Sequence, residues 1–436
     1  MKKLLLAFSL LTGGVLAMFV YERMFVDRTI GPVAMAAIAV LAAVVAVLVT
    51  MYRLYDTRHR EVVVSVCLAV GSTVVSYLVI DLITGFFLIR PLSPPLVPDQ
   101  YRHHKMVANS YSSFEQRDFH YVQRVNNFGM RGQDIAAGKS ANSYRILMLG
   151  DSFTMGKGVE DNQTFSVLLQ KSLRQRVAAC GGTRSIEVLN GGSDSYAPIL
   201  SYIQLKRDLA PLKPDMVVLN LDASDLVQET AYRQLAVFDK DGDIVGVPQG
   251  EQETSFTARV RTWTERHMFL TRVLVYYLLE RADYQEFNVR SVVEQANVEI
   301  TAHTLESDTE PRDKQWHDIF DSLSRIKAFA DSRGMTFLLS VYPWGHQVSA
   351  SEWVPGRYTY MAKDAVPSDK SRHTVRDLSR SNGIGFIDLF PAFRAYTGDR
   401  KLYFQYDMHW TSTGQEVAAK GLEEYLFKEY SQALCR

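Results

Sequence analysis

Residues 144–156 read Tyr-Arg-Ile-Leu-Met-Leu-Gly-Asp-Ser-Phe-Thr-Met-Gly. The apolar run from Tyr144 to Leu149, ended by Gly150, is typical of a strand buried on both faces of a parallel sheet. Ser152 follows on the tight turn where this strand ends. A serine in that position can present its hydroxyl to a base while backbone N–H groups point at a developing oxyanion. The stretch therefore predicts an α/β fold and a candidate nucleophile.

Short apolar runs and helical patterns alternate along the rest of the chain. The further expected strands are Ile186 to Leu189, Met216 to Leu221, Thr336 to Tyr342 and Gly385 to Leu389. The expected helices are Thr164 to Arg176, Ile199 to Leu209, Asp313 to Ser332, Val375 to Asn382 and Thr413 to Glu429. This alternation predicts a three-layer, doubly wound parallel sheet. Ligands bind beyond the carboxyl ends of the strands in such sheets.

Residues 226–310 are too many for a simple crossover between two strands. A hairpin is expected around Asp239-Lys240-Asp241-Gly242, and a helical pattern follows from about Thr257 to Tyr284. We interpret this stretch as an insertion beside the edge of the sheet that carries the site, serving as a lid or a docking surface.

The N-terminal residues 1–90 contain three uncharged stretches, Leu4 to Tyr21, Thr29 to Tyr52 and Val62 to Ile80. Each is long enough to cross a hydrocarbon core of about 30 Å. About three transmembrane helices are therefore expected, with Asp81 near an interface or facing a partner helix.

Basic residues set the expected orientation. Lys2 and Lys3 precede the first stretch, and Arg53, Arg58 and Arg60 lie between the second and third. Both groups belong on the cytoplasmic side. Whether three helices span the membrane or the first is a cleaved signal peptide, the remainder of the chain is expected outside.

Residues 91–140 are predicted as an extracytoplasmic linker, opening with Pro91-Leu92-Ser93-Pro94-Pro95. Residues 141–436 form the expected soluble domain. Arg131 lies in a turn-rich approach to this domain, and we interpret it as structural.

Charge and cysteine content exclude several classes. The formal net charge is zero over 436 residues, so nothing favours nucleic acid as a partner. Cys67 is expected to be an inert packing residue. Cys180 and Cys435 can pair only if they meet outside the cell, which the sequence does not show. No Cys/His spacing predicts a metal site, and no cofactor is expected.

A second chemical motif, Tyr406-Asp407-Met408-His409-Trp410, lies far downstream. An Asp two residues before a His can place its carboxylate near Nδ1, which leaves the other ring nitrogen free to take a proton from a serine. Ser412 and Gln415 are interpreted as a capping box for the last helix.

Two competing motifs fail at Ser152. A P-loop is excluded because Met155 takes the second glycine position and Gly158 follows Lys157. The Gly-x-Ser-x-Gly elbow of α/β-hydrolases is absent.

Gly150-Asp151-Ser152 and Asp407-x-His409 resemble the first and last blocks of the SGNH (GDSL) hydrolase family. The resemblance covers roughly residues 140–430 apart from the insertion, and the lead-in Asn127-x-Gly129-x-Arg131-Gly132 is similar to bacterial members. It implies a flavodoxin-like domain, with Ser152 as nucleophile, His409 as general base and Asp407 as its orienting partner. Substrates of the family are esters, including acetylated sugars and lipids, and some members transfer acyl groups to polysaccharides.

The middle blocks depart from the family. The second, usually Asn-x-Gly-x-x-Gly, is Asn190-Gly191-Gly192-Ser193-Asp194-Ser195 here, so Ser195 replaces the glycine whose N–H serves the oxyanion hole. The third, usually Gly-x-Asn-Asp, is Asp222-Ala223-Ser224-Asp225, so Ser224 replaces the asparagine donor. Further candidates for substrate contact are Asp151, Asn190, Gly192, Asp222, Asp225 and Trp410, with Asp222 favoured as structural.

The leading hypothesis is a membrane-anchored serine esterase or O-acyltransferase acting on acyl, notably acetyl, esters of a cell-envelope or exported polysaccharide. Its expected location is the bacterial inner membrane, with the catalytic domain on the periplasmic side. Expected partners are the acylated glycan or another ester substrate, the lipid bilayer, and a membrane protein that donates acyl groups. The alternatives are a lipid or carbohydrate esterase and a non-catalytic scaffold or binding module for polysaccharide assembly.

Overall fold

The computed structural model describes residues 2–21, 32–84, 96–136, 138–249, 268, 270–271 and 300–436. The chain divides into two compact units. Unit 1 consists of Met1–Leu92 with Gln252–Arg290, and unit 2 of Ser93–Glu251 with Ser291–Arg436.

Unit 1 contains helices α1 (Lys2–Tyr21), α2 (Pro32–Leu54) and α3 (Arg60–Ile83). They form where the sequence predicts three apolar helices. Within the described residues, α3 is long and apolar enough to cross a membrane, and shorter apolar stretches occupy Leu5–Gly14 and Ala42–Leu54. Among the described residues, length and apolar composition therefore support one membrane-spanning helix and not the three predicted.

Asp81 is buried near the end of α3. Its carboxylate accepts hydrogen bonds from the backbone N–H groups of Leu270 and Thr271, at 2.6 and 3.1 Å, and from the Thr271 hydroxyl. These bonds satisfy a charge that is costly to bury alone.

Unit 2 consists of short strands and helices that alternate along most of its length. Its described strands are β1 (Val97–Asp99), β2 (His103–Lys105), β3 (Ser110–Glu115), β4 (His120–Val125), β5 (Ser143–Leu149), β6 (Ser185–Asn190), β7 (Met216–Leu221), β8 (Val237–Phe238), β9 (Ile244–Gly246), β10 (Thr336–Val341) and β11 (Gly385–Asp388). Its described helices are α4 (Ser152–Met155), α5 (Phe165–Ala179), α6 (Pro198–Gln204), α7 (Asp225–Gln234), α8 (Asp313–Asp331), α9 (Gly345–Val348), α10 (Lys370–Ser381), α11 (Phe390–Arg394) and α12 (Ser412–Leu434).

A five-stranded sheet lies at the centre of unit 2, in the order β11-β10-β7-β5-β6. All neighbouring pairs are parallel. In chain order this is the flavodoxin-like arrangement, in which the strand order reverses between β5 and β7, and ligands bind at that reversal. The predicted parallel α/β sheet is confirmed, and Ser152 follows the strand at the reversal point.

The sheet is buried on both faces because successive side chains of a strand point to opposite sides. On β5, Leu147 and Leu149 join the apolar core that includes α6 and α8. Ile146 and Met148 join the opposite core, which includes α5 and α12. This continuous apolar pattern is why the strands could be read from the sequence.

The segment expected to be a linker contains two antiparallel hairpins. β1 pairs with β2, and β3 pairs with β4 over six residues from each strand. Residues 97–125 are thus structured and belong to unit 2. Arg131 is buried and donates to the backbone oxygens of Gly156 and Val159, at 2.5 Å each, which agrees with its structural interpretation.

Two other expectations concern the insertion and the cysteines. β8 and β9 form the hairpin predicted around residues 239–242. The helical pattern from Thr257 to Tyr284 lies, apart from residues 268, 270 and 271, outside the described residues. Cys180 and Cys435, which the sequence left open, form a disulfide with their Cα atoms 6.3 Å apart. It joins the end of α5 to the end of α12.

The predicted capping box of the last helix is wrong. Thr411 is the N-cap, and its hydroxyl accepts from the N–H of Gly414 at 3.3 Å. The Gln415 side chain instead accepts from the N–H of Phe165 at 2.8 Å. It therefore caps the start of α5, a distant contact that a local motif does not reveal.

Candidate active site

Ser152 is the first residue of α4, directly beyond the carboxyl end of β5. Gly150 makes this turn with φ of 143°, and a Cβ there would lie 2.4 Å from Thr154 Oγ1 and 2.9 Å from the oxygen of Asn220. Asp151 caps the helix, since its carboxyl oxygen accepts from the N–H of Phe153 at 2.9 Å. The Gly-Asp pair thus allows a turn that presents the serine at the edge of the sheet.

His409 reaches the nucleophile from the loop before α12. Its Nε2 lies 2.6 Å from Ser152 Oγ, and its Nδ1 is hydrogen-bonded to Asp407 Oδ1. A carboxylate only accepts, so Nδ1 carries the ring proton and Nε2 has a free lone pair for the serine proton. The structure brings together all three predicted residues, although 257 positions separate the serine from the histidine.

The surroundings of Asp407 favour its ionised form. Burial opposes ionisation of Asp407, but the electrostatic interaction with His409 and hydrogen bonds from its ring and backbone outweigh burial and lower the pKa of Asp407. The Asp407 oxygen that faces the ring also accepts from the backbone N–H of His409 at 2.9 Å. Phe153 packs against the imidazole with ring centroids 4.6 Å apart. The chemistry available is proton transfer from the Ser152 hydroxyl to a held, neutral imidazole.

Part of the chain is similar to a known protein family. Residues 304–433 match the family model described as "SGNH hydrolase-like domain, acetyltransferase AlgX", and this range contains Asp407 and His409. The predicted resemblance to SGNH hydrolases is confirmed. No curated protein matches the chain.

Solved structures of SGNH-type enzymes are also similar. A lipolytic protein of the G-D-S-L family from Desulfitobacterium hafniense is 12% identical, with a TM-score of 0.33, over 64% of this chain and 98% of its own. An acetylxylan esterase from Geobacillus stearothermophilus is 12% identical, with a TM-score of 0.34, over 66% and 95%. A lipase/acylhydrolase from Enterococcus faecalis is 12% identical, with a TM-score of 0.33, over 65% and 95%.

The two residues that replace the usual SGNH oxyanion donors differ in what they offer. Ser195 is exposed and has a left-handed backbone with φ of 56°, which explains why a glycine is usual there. Its N–H makes no hydrogen bond to the described residues. The Ser224 hydroxyl instead donates to Asp222 Oδ1 at 2.7 Å. The backbone N–H at Ser195 is available as a donor, whereas the Ser224 side chain is already engaged.

Three further candidates, Asp151, Asp222 and Asp225, are buried behind the nucleophile. Asp222 accepts from Ser224 and from the indole N–H of Trp344 at 2.9 Å, and Asp225 accepts from the N–H of Asp222 at 2.7 Å. Burial, and then the charge of Asp222, raise the pKa of both Asp151 and Asp225 well above the usual range. The hydrogen bonds of these carboxyl groups brace the two loops.

The remaining candidates are also internal. The Asn190 amide donates to the oxygen of Met155 at 3.2 Å and its own oxygen accepts from the N–H of Gly192 at 3.1 Å. A Cβ at Gly192 would lie 2.3 Å from the nitrogen of Met155, so glycine permits this close packing under the serine turn. Trp410 is 2% exposed and packs among aromatic rings that include Phe153. All of these residues support the site from beneath.

Sequence reasoning missed two residues that donate hydrogen bonds to the buried carboxyl groups of Asp151 and Asp222. Tyr342 donates its hydroxyl to Asp151 at 3.2 Å, and Trp344 donates to Asp222. Both follow β10, on the same edge of the sheet as Ser152. The sequence could have indicated both residues, because side chains that follow neighbouring parallel strands converge at one edge of the sheet. Within the described ranges, no group of three His, Cys, Asp or Glu residues is arranged to hold a metal ion.

Proposed function

We propose that this chain is a membrane-anchored serine esterase or O-acyltransferase acting on acyl esters, with acetyl as the expected group, of a cell-envelope or exported polysaccharide. The observation that carries the proposal is the 2.6 Å contact between Ser152 Oγ and His409 Nε2, with Asp407 on the other ring nitrogen. Hydrogen bonding of this kind joins nucleophile, base and orienting group in serine-dependent acyl transfer.

In the proposed mechanism Ser152 Oγ attacks the acyl carbonyl while its proton passes to His409 Nε2. The negative charge that develops on the carbonyl oxygen is stabilised by the N–H groups of Ser152 and Ser195. The His409 proton then passes to the departing alkoxide, which leaves an acyl ester on Ser152. Water or a sugar hydroxyl, deprotonated by His409, attacks this ester. The bond between the acyl carbon and Ser152 Oγ breaks, and Oγ takes the proton back from His409.

Membrane attachment is supported by unit 1. Val62, Leu68 and Ile80 on α3 are each more than half exposed, as expected for a helix whose apolar side chains face lipid. The disulfide of unit 2, and the basic residues at the start of α1 and around the loop between α2 and α3, support an extracytoplasmic catalytic domain. A cell-envelope glycan and an acyl-donating membrane protein would both be within reach of an enzyme in this location.

The test compares the purified full-length protein with its Ser152→Ala variant on p-nitrophenyl acetate and on an acetylated oligosaccharide. We expect the substitution to abolish hydrolysis and transfer while leaving the melting temperature unchanged. Free acetate as sole product indicates an esterase, whereas an acetylated acceptor sugar indicates a transferase. Full activity of Ser152→Ala would refute the proposal.

A non-catalytic scaffold is the second candidate. It is favoured by Ser224, whose hydroxyl is engaged by Asp222 rather than free for an oxyanion. A fluorophosphonate probe separates the two candidates because it reacts with an activated serine. Labelling of Ser152 would support the enzyme, and its absence in the folded protein would support the scaffold.

A further inference from the structure

The β3–β4 hairpin ends in a tight loop that contacts the segment carrying Asp407 and His409. Gln116 and Phe119 exchange backbone hydrogen bonds of 2.9 and 3.3 Å, so only Arg117 and Asp118 form the tip. Phe119 is buried and packs against Phe404, with ring centroids 5.0 Å apart. A two-residue loop on a paired hairpin is a rigid support for side chains at its tip.

Both tip residues bind the loop that carries the Asp-His pair. Asp118 Oδ2 accepts hydrogen bonds from the backbone N–H groups of Tyr406 and Asp407, at 2.7 Å each. The Arg117 guanidinium lies over the Tyr406 ring, 3.4 Å from its centroid, and donates to its hydroxyl at 2.6 Å. A carboxylate that accepts two backbone N–H groups fixes that piece of backbone firmly. One of the two groups belongs to the residue that orients the imidazole.

The same loop is held from its other side. Trp353 donates its indole N–H to the oxygen of Tyr406 at 3.2 Å, and the N–H of Gly356 donates to the oxygen of Gln405 at 3.0 Å. Residues 405–407 are therefore bound on their N–H side by the β3–β4 hairpin and on their carbonyl side by residues 353–356. Loss of Asp118 removes both hydrogen bonds to the N–H groups of residues 406 and 407, and leaves the loop to Arg117 and to the bonds on its carbonyl side.

The β1–β2 hairpin makes a comparable contact to the loop that carries Ser195, the expected oxyanion donor. His104, on β2, lies with Nε2 2.6 Å from the oxygen of Asp194. A carbonyl only accepts, so Nε2 carries the proton and donates to it. Tyr196 returns a hydrogen bond from its hydroxyl to the oxygen of His104 at 2.6 Å. The two contacts bracket Ser195.

This carbonyl belongs to the same peptide unit as the N–H of Ser195. The unit is planar and trans, so its C=O and N–H point in opposite directions, and fixing one fixes the other. Ser195 also has the left-handed backbone conformation that a non-glycine residue keeps only when its surroundings hold it there. The His104 bond is one of the contacts that hold it.

We propose that residues 97–125, between the membrane part and the catalytic sheet, position both halves of the active site. Asp118 orients the Asp407–His409 loop, and His104 orients the peptide whose N–H at Ser195 stabilises the oxyanion. Neither residue contacts the reacting atoms, so both are positioning residues. The proposal rests on the proposed function, since it assigns roles within the Ser152 mechanism.

The test of Asp118 uses Asp118→Ala and Asp118→Asn in the full-length protein. We expect the alanine variant to lose about 10- to 100-fold in kcat with KM changed less than about twofold, because a small misplacement of a catalytic group acts on the chemical step. The rate of Ser152 labelling by a fluorophosphonate should fall in parallel. Asp118→Asn keeps an accepting oxygen and should recover part of both rates. Asp134→Asn, an exposed aspartate paired with Arg124, is the matched control and should keep both rates.

The test of His104 uses His104→Ala and His104→Gln, with the exposed His373→Gln as control. The alanine variant should lose about tenfold or more in kcat at nearly constant KM. Glutamine, whose amide N–H can reach the same carbonyl, should restore part of the loss.

Thermal midpoints separate positioning from folding. Variants that melt earlier but label and turn over at wild-type rates in the folded state would overturn the proposal, as would equal losses in the two control variants. Loss of activity in Ser152→Ala together with wild-type kinetics in all Asp118 and His104 variants would overturn the positioning roles alone. An active Ser152→Ala would instead overturn the proposed function beneath them.

Discussion

Asp407 offers the sharpest test of how the imidazole is held. Both donors that it binds, the Nδ1–H and the backbone N–H of His409, converge on one oxygen, Oδ1. An asparagine can place its own oxygen at that point and keep the imidazole orientation and tautomer. Asp407→Asn should therefore remove the negative charge and little else, whereas Asp407→Ala removes charge and orientation together.

The size of each effect follows from the charge that forms during the reaction. When His409 takes the serine proton it becomes a cation beside Asp407. Two opposite unit charges about 4 Å apart are worth about 4 kcal/mol at an effective dielectric constant of about 20. The neutral hydrogen bond of asparagine returns about 1 kcal/mol. The remaining loss of about 3 kcal/mol corresponds to roughly 150-fold in rate. Loss of orientation as well should make the alanine variant slower than the asparagine variant.

The assay is kcat/KM on p-nitrophenyl acetate for wild type, Asp407→Asn and Asp407→Ala, with Asp134→Asn as a surface control. The expected order is wild type, then asparagine, then alanine, with a clear gap between the two variants. Equal rates for asparagine and alanine would refute the reasoning that one oxygen serves both donors. Wild-type rates in both variants would refute the role of Asp407 altogether.

Three other predictions concern stability and membrane attachment. Burial raises the pKa of Glu229 from 4.5 to about 7, against hydrogen bonds from Ser322 and from the N–H of Ile199. Because the folded state binds this proton more tightly than the unfolded state, stability should fall as pH rises from about 4.5 to 7 and stay low above it. Glu229→Gln should then be more stable by up to about 3 kcal/mol at pH 8, and equal urea midpoints at pH 8 would contradict this. Cys180→Ser should cost about 2–5 kcal/mol, and a reductant should lower the melting temperature of wild type but leave the variant unchanged. Because α3 is long and apolar enough to cross a bilayer, the protein should stay in the membrane pellet after an alkaline carbonate wash and leave it only with detergent; release by carbonate would disprove a span at α3.

Much of the catalytic sheet could be predicted because its strands are apolar on both faces. The bounds of β7 agree with the sequence prediction, and those of β5 differ by one residue. The same reasoning failed for β3 and β4. Ser112 faces Gln123 across this hairpin, and both side chains are buried. The buried face of β4 mixes Gln123 with Tyr121 and Val125, so the hydrophobic alternation is weak and this part of the chain resembled a linker.

The proposed nucleophile and its proposed base could be predicted for a different reason. Gly150-Asp151-Ser152 and Asp407-x-His409 are local motifs, in which each turn brings its own chemistry. Asp118 escaped notice because its partners at 406 and 407 lie almost 290 positions away and contribute only backbone N–H groups. A contact to backbone leaves no trace in the identity of the partner residue. Motifs therefore identified the groups proposed to react, and the fold was needed to find the residues that hold them in place.

The sequence offers Ser195 and Ser224 as oxyanion donors, and the structure distinguishes between them. Turning the Ser224 hydroxyl toward an oxyanion breaks its bond to a carboxylate, worth about 1.5–3 kcal/mol. An oxyanion donor returns about 3 kcal/mol, so the exchange brings little net stabilisation. Among the described residues, the Ser195 N–H makes no hydrogen bond that would have to break. His104 holds the Asp194 carbonyl of the same peptide in place. In the proposed mechanism, stabilisation of the transition state therefore depends on the backbone N–H groups of Ser152 and Ser195, and so on the His104 contact that orients the Ser195 peptide.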